Sequence, residues 1–365
     1  MINLIANTMN INNKSKLFVG MDLHKKTSTL CVKDYDGNVI RQAKILTDRN
    51  QIRGFFKDLN QPSSVVLEPV SQWYTYADLI EDLGNEVHIA HPTKVKAIAS
   101  ARIKTDKIDA GVLADLLRAN LLPEAYFSPK EVRGWKELAR FRASLINLRS
   151  QVKNKVHAIL HKHGIIHDFS NLFGVAGTKW LQNLTVGEPF KTSLTEYLSL
   201  VESLTAQIDA AEQRITQTVT EHREAKLLTS IPGVKFVSAL TIMAEIGDIT
   251  RFPDAKRLMG YAGLVPSTYS SGDITRHGKI TKTGNKWLRY IMVEIAHHQQ
   301  RCKRKPGFGS FYLKIKNRKG ASTAAVATAR KLLAVVWRLL TDKREWSAIA
   351  PDCGKPGPLA QNFSS

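Results

Sequence analysis

The chain has 365 residues, and its 53 Lys and Arg against 32 Asp and Glu give a net charge of +21 and a pI near 9.9. A chain this basic is predicted to bind polyanions, either nucleic acid or an anionic membrane. No apolar run reaches the roughly 18 residues that a membrane-spanning helix needs, and residues 1–16 lack the pattern of a secretion signal. These features favour nucleic acid rather than a membrane as the binding partner. They also favour a cytoplasmic location.

The three cysteines support the same setting. Cys31, Cys302 and Cys353 are far apart and odd in number, so they predict neither a disulfide framework nor a zinc ligand set. We expect incidental thiols in a reducing compartment.

The N-terminal third alternates between strand and helix patterns. Residues 17–21, 27–33 and 39–46 predict three strands, and an Asp-Gly turn joins the last two. Residues 63–67 and 86–90 predict two more strands, with a helix over 72–83 between them that ends at Gly84. Further helices are predicted from Pro92 and from Asp106 to about Asn120, the latter capped by Thr105. This order predicts an α/β layer with a mixed sheet.

The middle of the chain predicts two long amphipathic helices of coiled-coil type. Each has one row of apolar residues at intervals of seven and a second, companion row of mostly apolar residues beside it. Glycines between residues 164 and 187 predict an irregular connection between the two helices. We expect an antiparallel helical hairpin or a dimer seam, with packing inside one globular bundle as the alternative. The first helix carries Leu138, Leu145, Val152 and Ile159 beside Phe141, Leu148 and Val156, and the second carries Leu194, Val201, Ile208 and Ile215 beside Tyr197, Leu204 and Ala211.

Residues 230–247 look like a helix-hairpin-helix turn, with Ile231-Pro232-Gly233-Val234 between two helices. Such a turn can offer backbone N–H groups to a DNA phosphate. Lys235 stands where a second glycine is usual, which hinders close backbone approach but adds a cation. A helix pair without a ligand is the alternative.

Four acids in the N-terminal third are candidate metal ligands. Asp22 and Glu68 each end a predicted strand, and Asp106 and Asp109 lie three apart on one predicted helix, so they face the same way. Carboxylates that meet at the edge of an α/β sheet repel one another unless a cation neutralises them, and Mg²⁺ or Mn²⁺ suits such oxygen ligands. Alternatively, these acids bind no metal and are ordinary first-turn or solvated surface residues. His24, next to the end of the first strand, either takes part in the site or merely packs.

The C-terminal third combines hydroxyl groups with positive charge. Residues 263–289 are rich in Gly, Ser and Thr, which predicts a loop that a ligand approaches closely. Ser267, Ser270 and Ser271 are candidate nucleophiles, although a Ser-Gly pair is also an ordinary turn. The 56 residues 276–331 hold 15 Lys and Arg against one acid. Residues predicted to contact nucleic acid are Arg276, Lys279, Lys282, Lys286, Arg289, Lys303 and Arg304.

These motifs resemble the DEDD-type insertion-sequence transposases, the family of bridge-RNA-guided serine recombinases. The resemblance runs from about residue 17 to about 334. It depends on VGMDLHKK, VVLEPVSQW, HPTKVKAIA and KTDKIDAGVLADLL, and later on LLTSIPGVKFVSALTIMAEIGDITRF, GYAGLVPSTYSSG and HGKITKTGNKWLRYIMVEIA. It implies a ribonuclease H-like (RuvC-like) first domain with metal ligands at Asp22, Glu68, Asp106 and Asp109. It also implies a nucleophilic serine at Ser271, with Ser270 as competitor.

The resemblance sets the expected organisation. We expect an N-terminal tail (1–16), a RuvC-like DEDD catalytic domain (17–127), a long-helix coiled-coil region (128–228), a mostly helical C-terminal transposase domain (229–345) and a C-terminal tail (346–365). The expected enzyme is a DNA transposase that forms a phosphoserine intermediate with Mg²⁺ or Mn²⁺ and needs no nucleotide, since no P-loop is present.

The expected partners are donor and target DNA, a noncoding guide RNA, and other copies of the chain as a dimer or tetramer, in the nucleoid of a prokaryotic cell. The resemblance also implies a composite site in which carboxylates of one subunit meet the serine of another. A metal-only, junction-resolvase-like nuclease is the first alternative, and a noncatalytic nucleic-acid-binding scaffold is the second.

Overall fold

The computed structural model describes residues 16–98, 105–271, 274–301 and 307–349. The chain divides into two units, Met1–Phe127 and Ser128–Ser365. Within the described ranges, no helix combines the length and the apolar character that crossing a bilayer requires.

The first unit is an α/β layer. Its strands are β1 (Leu17–Leu23), β2 (Thr27–Lys33), β3 (Val39–Leu46), β4 (Ser63–Leu67), β5 (Glu86–Ala90) and β6 (Glu124–Ala125). Its helices are α1 (Arg49–Asp58), α2 (Trp73–Asp82), α3 (Pro92–Ile98) and α4 (Asp106–Arg118). Five strands and three helices follow the sequence prediction closely, whereas α1 and the short β6 were not predicted.

The six strands form one mixed sheet in the order β3-β2-β1-β4-β5-β6. Strands β1, β2 and β3 pair antiparallel, β1, β4 and β5 pair parallel, and β6 closes the edge antiparallel to β5. The expected mixed α/β class is therefore confirmed, and this arrangement fits the ribonuclease H-like fold that the resemblance implies.

Helices cover both faces of the sheet. On one face, Met21 and Leu67 are buried against Phe55 of α1 and Ile80 of α2. On the other face, Phe18 and Val66 of β1 and β4 pack with Leu113 and Leu117 of α4. Because β1 is covered on both sides, its alternating residues build two separate cores.

The second unit is mostly helical. Its helices are α5 (Lys130–Lys162), α6 (Val175–Asn183), α7 (Phe190–Glu221), α8 (Arg223–Thr229), α9 (Phe236–Ile246), α10 (Ala255–Tyr261), α11 (Lys286–Gln299), α12 (Gly309–Lys319), α13 (Ala321–Asp342) and α14 (Trp346–Ile349). A two-stranded hairpin of β7 (Pro266–Ser271) and β8 (Ile274–Ile280) lies between α10 and α11. The helical C-terminal part matches the expectation from the sequence.

The two long helices, α5 and α7, pack antiparallel. Glu131 Oε1 accepts a hydrogen bond from His222 Nε2 at 3.0 Å. Further along, Arg142 binds the Glu212 carboxylate at 2.5 Å. Toward the far end, Arg149 donates to the Thr205 hydroxyl at 3.2 Å. The residue numbers of these pairs run in opposite directions along the two helices, which is the antiparallel order.

The predicted coiled-coil seam is not reproduced in full. Leu145, Val156 and Ile159 of α5 are buried, as the heptad pattern requires, but Phe141 and Leu148 of the companion row are 44% and 48% exposed. Two of the three companion positions of α5 are therefore exposed, and only Val156 of that row lies in the core. The connection predicted to be irregular also contains the regular helix α6.

The helix-hairpin-helix-like turn lies between α8 and α9. Gly233 adopts a φ of +86°, a conformation that favours glycine. The Gln299 amide of α11 donates to the carbonyl of Pro232, so the turn is held against the helix that follows the serine hairpin. Lys235 is the residue before α9.

Candidate active site

Strand β1 carries Asp22 on the face of the sheet that packs against α4. Because side chains alternate along a strand, Asp22 shares this face with Phe18 and Gly20. A Cβ atom at Gly20 would lie 1.9 Å from the carbonyl oxygen of Ala110 and 2.7 Å from the backbone nitrogen of Ala114. The absence of a side chain at Gly20 is thus what lets α4 cross β1 closely and places the first turn of α4 near Asp22.

The first turn of α4 carries the other two aspartates. Thr105 caps the helix, and its hydroxyl accepts from the backbone N–H of Ile108 at 3.3 Å. Asp106 and Asp109 follow in the first turn, where the helix dipole favours negative charge. Asp109 directly precedes Ala110, the residue that touches Gly20, so the packing of α4 on β1 also orients its acids.

A histidine bridges two of these carboxylates. His24 Nε2 lies 3.1 Å from Asp22 Oδ2 and 3.7 Å from Asp106 Oδ1. The other oxygen of Asp106 accepts a hydrogen bond of 3.0 Å from Lys44 Nζ. One potential ligand atom from each of Asp22, His24 and Asp106 lies within 4.8 Å of the other two, a spacing suited to a single cation.

The electrostatics of the cluster favour a cation. Burial raises the pKa of the Asp22 carboxyl, the nearby His24 opposes this shift, and the charges of Asp106 and Asp109 add to it. The pKa of Asp106 is lowered, chiefly by the hydrogen bond from Lys44. Several carboxylates around one poorly solvated group supply hard oxygen ligands and mutual repulsion, which divalent Mg²⁺ or Mn²⁺ relieves. The donor set therefore fits the divalent metal that the sequence predicts.

Glu68 lies at the same sheet edge. Met21 of β1 and Leu67 of β4 are paired in the parallel register, so Asp22 and Glu68 are the next residues on neighbouring strands. Glu68 is partly buried. Four residues further on, Gln72 Nε2 donates to the carbonyl of His24 at 3.1 Å, which ties the loop after β1 to the segment after β4.

Lys44 was missed by the sequence analysis, although the sheet register explains its position. Asp22 is opposite Thr29 on β2, and Thr29 is opposite Lys44 on β3. Residues opposite one another in adjacent strands share a face of the sheet, so this row brings Lys44 to the face that α4 covers. A lone lysine in a half-exposed strand carries no sequence pattern that predicts such a role.

The segment predicted as a loop, residues 266–280, is instead a β-hairpin. Tyr269 pairs with Arg276, Ser270 with Thr275 and Ser271 with Ile274. Residues 272 and 273, which join the strands, are outside the described residues, as are the surroundings of the Ser271 side chain. The loop prediction was wrong because the strands are exposed, so no alternation of apolar residues announces them.

The three candidate serines differ in their settings. Ser267 Oγ donates to the Lys279 carbonyl at 3.1 Å, and a Cβ atom at Gly278 would lie 2.4 Å from it, so this hydroxyl helps to pair the strands. Ser270 is exposed, and Ser271 is the last residue of β7. Ser270 and Ser271 are thus the last two residues of β7.

A buried carboxylate supports the far end of the hairpin. Glu245 of α9 is 3% exposed and accepts from Arg140 of α5 at 2.8 Å and from the Asn285 amide at 2.7 Å. The Asn285 side-chain oxygen caps α11 by accepting from the N–H groups of Trp287 and Leu288. Glu245 therefore connects a long helix to the point where the chain leaves the hairpin.

The predicted basic contacts fall into three groups. Arg276, Lys279, Lys282 and Lys286 are exposed along β8 and the start of α11. Arg289 is partly buried, and its guanidinium donates to the carbonyl of Ala262 at 2.9 Å, so part of its hydrogen-bonding capacity supports the fold. Two further predicted contacts, Lys303 and Arg304, lie outside the described residues.

Comparisons with known families agree with both parts of the chain. A family model of IS110-type DEDD transposases matches residues 19–165, and a model described as the transposase IS116/IS110/IS902 family matches residues 225–313. The first match contains the carboxylate cluster and the second contains the serine hairpin.

Full-length relatives are also transposases by name. The chain is 28% identical over 337 residues to a protein of Pseudomonas aeruginosa named as a probable family 20 transposase, covering 88% of this chain and 96% of the relative. It is 26% identical over 335 residues to the transposase for insertion sequence element IS1111A of Coxiella burnetii, covering 88% and 89%. It is 25% identical over 332 residues to the transposase for IS1328 of Yersinia enterocolitica, covering 88% and 96%.

Both parts of the chain are therefore similar to transposases of the IS110/IS116 DEDD type, and these matches support the function of an insertion-sequence transposase. Enzymes of this class cut DNA and transfer its strands. The DEDD domain implies use of a divalent metal, which agrees with the donor set around Asp22.

Proposed function

We propose that this insertion-sequence transposase exchanges DNA strands through a covalent phosphoserine intermediate. In this proposal Ser271 is the nucleophile, and Asp22, Glu68, Asp106 and Asp109 hold a divalent cation at the scissile phosphate. The observation that carries the metal half is the convergence of ligand atoms from Asp22, His24 and Asp106 within 4.8 Å of one another. The serine half is supported by the resemblance and by the position of Ser271 at the end of an exposed hairpin.

The chemistry conserves the phosphodiester bond. The Ser271 hydroxyl attacks phosphorus and loses its proton, a P–Oγ bond forms, and the P–O bond to one DNA strand breaks as that oxygen takes up a proton. A hydroxyl of the incoming strand then attacks phosphorus and loses its proton, a new P–O bond forms, and the P–Oγ bond breaks as serine regains a proton. A divalent cation held by the carboxylates would offset negative charge on the phosphate oxygens. Since the ester energy is retained, no nucleotide is consumed.

The basic surface of the second unit is proposed to hold the nucleic acid. Arg276, Lys279, Lys282 and Lys286 are exposed on or next to the serine hairpin. Cations at this position neutralise phosphates near the serine and contribute affinity without reading sequence. Lys303, Arg304 and Arg289 complete the proposed set.

The proposal extends to partners that the net charge of +21 accommodates. A noncoding bridge RNA would supply sequence specificity, and a homo-oligomer, dimer or tetramer, would bring the carboxylates of one subunit to the serine of another. Both follow from the resemblance stated above.

A covalent adduct tests the proposed chemistry. Full-length protein is incubated with labelled DNA that spans the end of its own element, together with RNA transcribed from the flanking noncoding segment and Mn²⁺ or Mg²⁺. Denaturing electrophoresis then detects protein linked to DNA. Wild type and Ser270→Ala are expected to form the adduct, whereas Ser271→Ala and Asp22→Asn are not, although all four should bind DNA.

The possible results separate the alternatives. An adduct with Ser271→Ala but none with Ser270→Ala would move the nucleophile by one residue. Cleavage that requires Asp22 but never yields an adduct would indicate a metal-only, junction-resolvase-like nuclease. Full activity of both Asp22→Asn and Glu68→Gln would remove catalysis from the carboxylate cluster.

A further inference from the structure

We propose that His24 is a nitrogen ligand of the divalent cation and that it shifts the preference of the site from Mg²⁺ toward Mn²⁺. This inference rests on the proposed metal-dependent function and concerns a residue outside the four carboxylates. Its basis is the position of His24 Nε2 between Asp22 and Asp106, together with the way in which the backbone of His24 is held.

The distances fit a shared coordination sphere. In an octahedral site with metal–ligand bonds of about 2.1 Å, adjacent ligand atoms lie about 3.0 Å apart and opposite ones about 4.2 Å. His24 Nε2 is 3.1 Å from Asp22 Oδ2 and 3.7 Å from Asp106 Oδ1. These values lie within the range for ligands of one ion, so small adjustments of side chains suffice to admit it.

The surroundings leave this imidazole available. The His24 side chain is 53% exposed, so apolar packing does not account for its orientation. Lys44 contacts Asp106 Oδ2, the oxygen that is not nearest His24, and thereby leaves Oδ1 directed toward the imidazole. Asp22, by contrast, is buried and fixed on β1.

The backbone of His24 is held from two sides. Its N–H donates to the Thr27 carbonyl at 3.2 Å, and its own carbonyl accepts from Gln72 Nε2 at 3.1 Å. These contacts tie the turn after β1 to the segment after β4, which also carries Glu68. A ligand whose main chain is fixed in this way loses less conformational freedom when it binds metal.

The choice of ligand predicts the choice of metal. Mg²⁺ prefers oxygen ligands and gives up its water reluctantly, whereas imidazole nitrogen suits transition metals. A site made of carboxylates alone would favour Mn²⁺ over Mg²⁺ only by the generally higher affinity of Mn²⁺ for protein ligands. An added imidazole strengthens Mn²⁺ binding selectively.

Pulsed EPR of Mn²⁺ bound to the full-length protein tests the assignment. A directly coordinated imidazole produces ¹⁴N modulation in the electron spin echo, which a histidine that only hydrogen-bonds to a carboxylate does not. His88→Gln is the matched control, because His88 also lies near two carboxylates of the first unit, at 3.4 Å from Glu86 and 3.0 Å from Glu124.

Wild type and His88→Gln should show the ¹⁴N modulation, and His24→Gln should lose it. Loss of an outer-shell partner already weakens metal binding by about 10- to 100-fold, so the Kd for Mn²⁺ should rise at least about tenfold in His24→Gln. The Kd for Mg²⁺ should change less. Should His24→Gln not fold, ¹⁵N-histidine labelling of the wild type still reports whether a histidine is coordinated.

Two results overturn the assignment and leave the proposed function standing: Mn²⁺ that binds wild type without nitrogen modulation, or modulation that persists in folded His24→Gln. Equal weakening of Mn²⁺ and Mg²⁺ in His24→Gln overturns the claim of metal preference. Failure of wild type to bind either ion, by contrast, would refute the metal-dependent function itself.

Discussion

The packing of α4 on β1 predicts that Gly20→Ala disrupts the candidate active site by displacing α4. The new methyl group would lie 1.9 Å from the Ala110 carbonyl oxygen, whereas ordinary contact begins at 3.4 Å, so α4 must move by about 1.5 Å. The atoms that it meets, the carbonyl group of Ala110 and the nitrogen of Ala114, belong to the backbone, which cannot rotate away. The displaced helix is the one that carries Asp106 and Asp109.

The magnitude follows from this clash. Overpacking of a well-packed interior costs about 1–3 kcal/mol and occasionally more. Hydrogen exchange of the amides in residues 106–118 reports the local stability of α4 without requiring the two units to unfold together. A cost of this size accelerates exchange by about 5- to 150-fold in the regime where exchange tracks stability. Mn²⁺ binding should weaken as well, because a ligand displaced by about 1 Å is poorly placed.

Gly54→Ala is the matched control in the same unit. Gly54 lies within α1, and a Cβ atom there would meet nothing within 4 Å. Alanine is favoured over glycine in a helix by about 1 kcal/mol, so exchange over residues 49–58 should slow by about fivefold. If Gly20→Ala leaves both α4 exchange and Mn²⁺ affinity at wild-type values, the close crossing does not position the site.

Three further outcomes are expected. Asn285→Ala removes the cap of α11 and should cost about 1–2 kcal/mol of local stability. The amides of residues 286–299 should then exchange hydrogen faster, and unchanged exchange would contradict the capping role. A hydrogen bond to the Thr218 carbonyl and the nearby Glu131 carboxylate raise the pKa of His222, so protonated His222 stabilises the fold fully below about pH 6.5 and this stabilisation disappears as the pH rises through the folded-state pKa. His222→Gln should therefore lower Tm more at pH 5.5 than at pH 8.5. An equal decrease at the two pH values would refute this. Lys282→Gln with Lys286→Gln should reduce the salt dependence of DNA binding by about 0.9 in log–log slope per lost phosphate contact, and an unchanged slope would exclude this surface from the interface.

The sheet of the first unit was predictable because burial leaves a clear pattern. Strands β1 and β4 are covered on both faces, so each contains a largely apolar run, and an acid, Asp22 or Glu68, directly follows that run in the sequence. Asp106 and Asp109 were predictable as a pair because a helix presents residues three apart on one side. The contacts between strand and helix, by contrast, depend on Gly20, whose importance is visible only once α4 lies across it.

The serine hairpin and Lys44 were not predictable for the opposite reason. Strands β7 and β3 have largely exposed residues, and no buried face imposes alternation on them. Phe141 and Leu148 show the converse failure, since they follow a heptad pattern but remain exposed. Periodicity indicates which residues can share a stripe, but it does not identify the surface that covers the stripe.

The attachment of Arg140 to Glu245 gives the long helix α5 the geometry of a lever. Residues 141–162 continue beyond this contact to the end of the 33-residue helix, a length of about 33 Å at 1.5 Å per residue. A rotation of about 5° at the contact therefore displaces the far tip by about 3 Å. Slight adjustments beside Asn285 and the serine hairpin would in this way be magnified at the tip of α5 and the part of α7 that packs on it, where spin labels on α5 would register them.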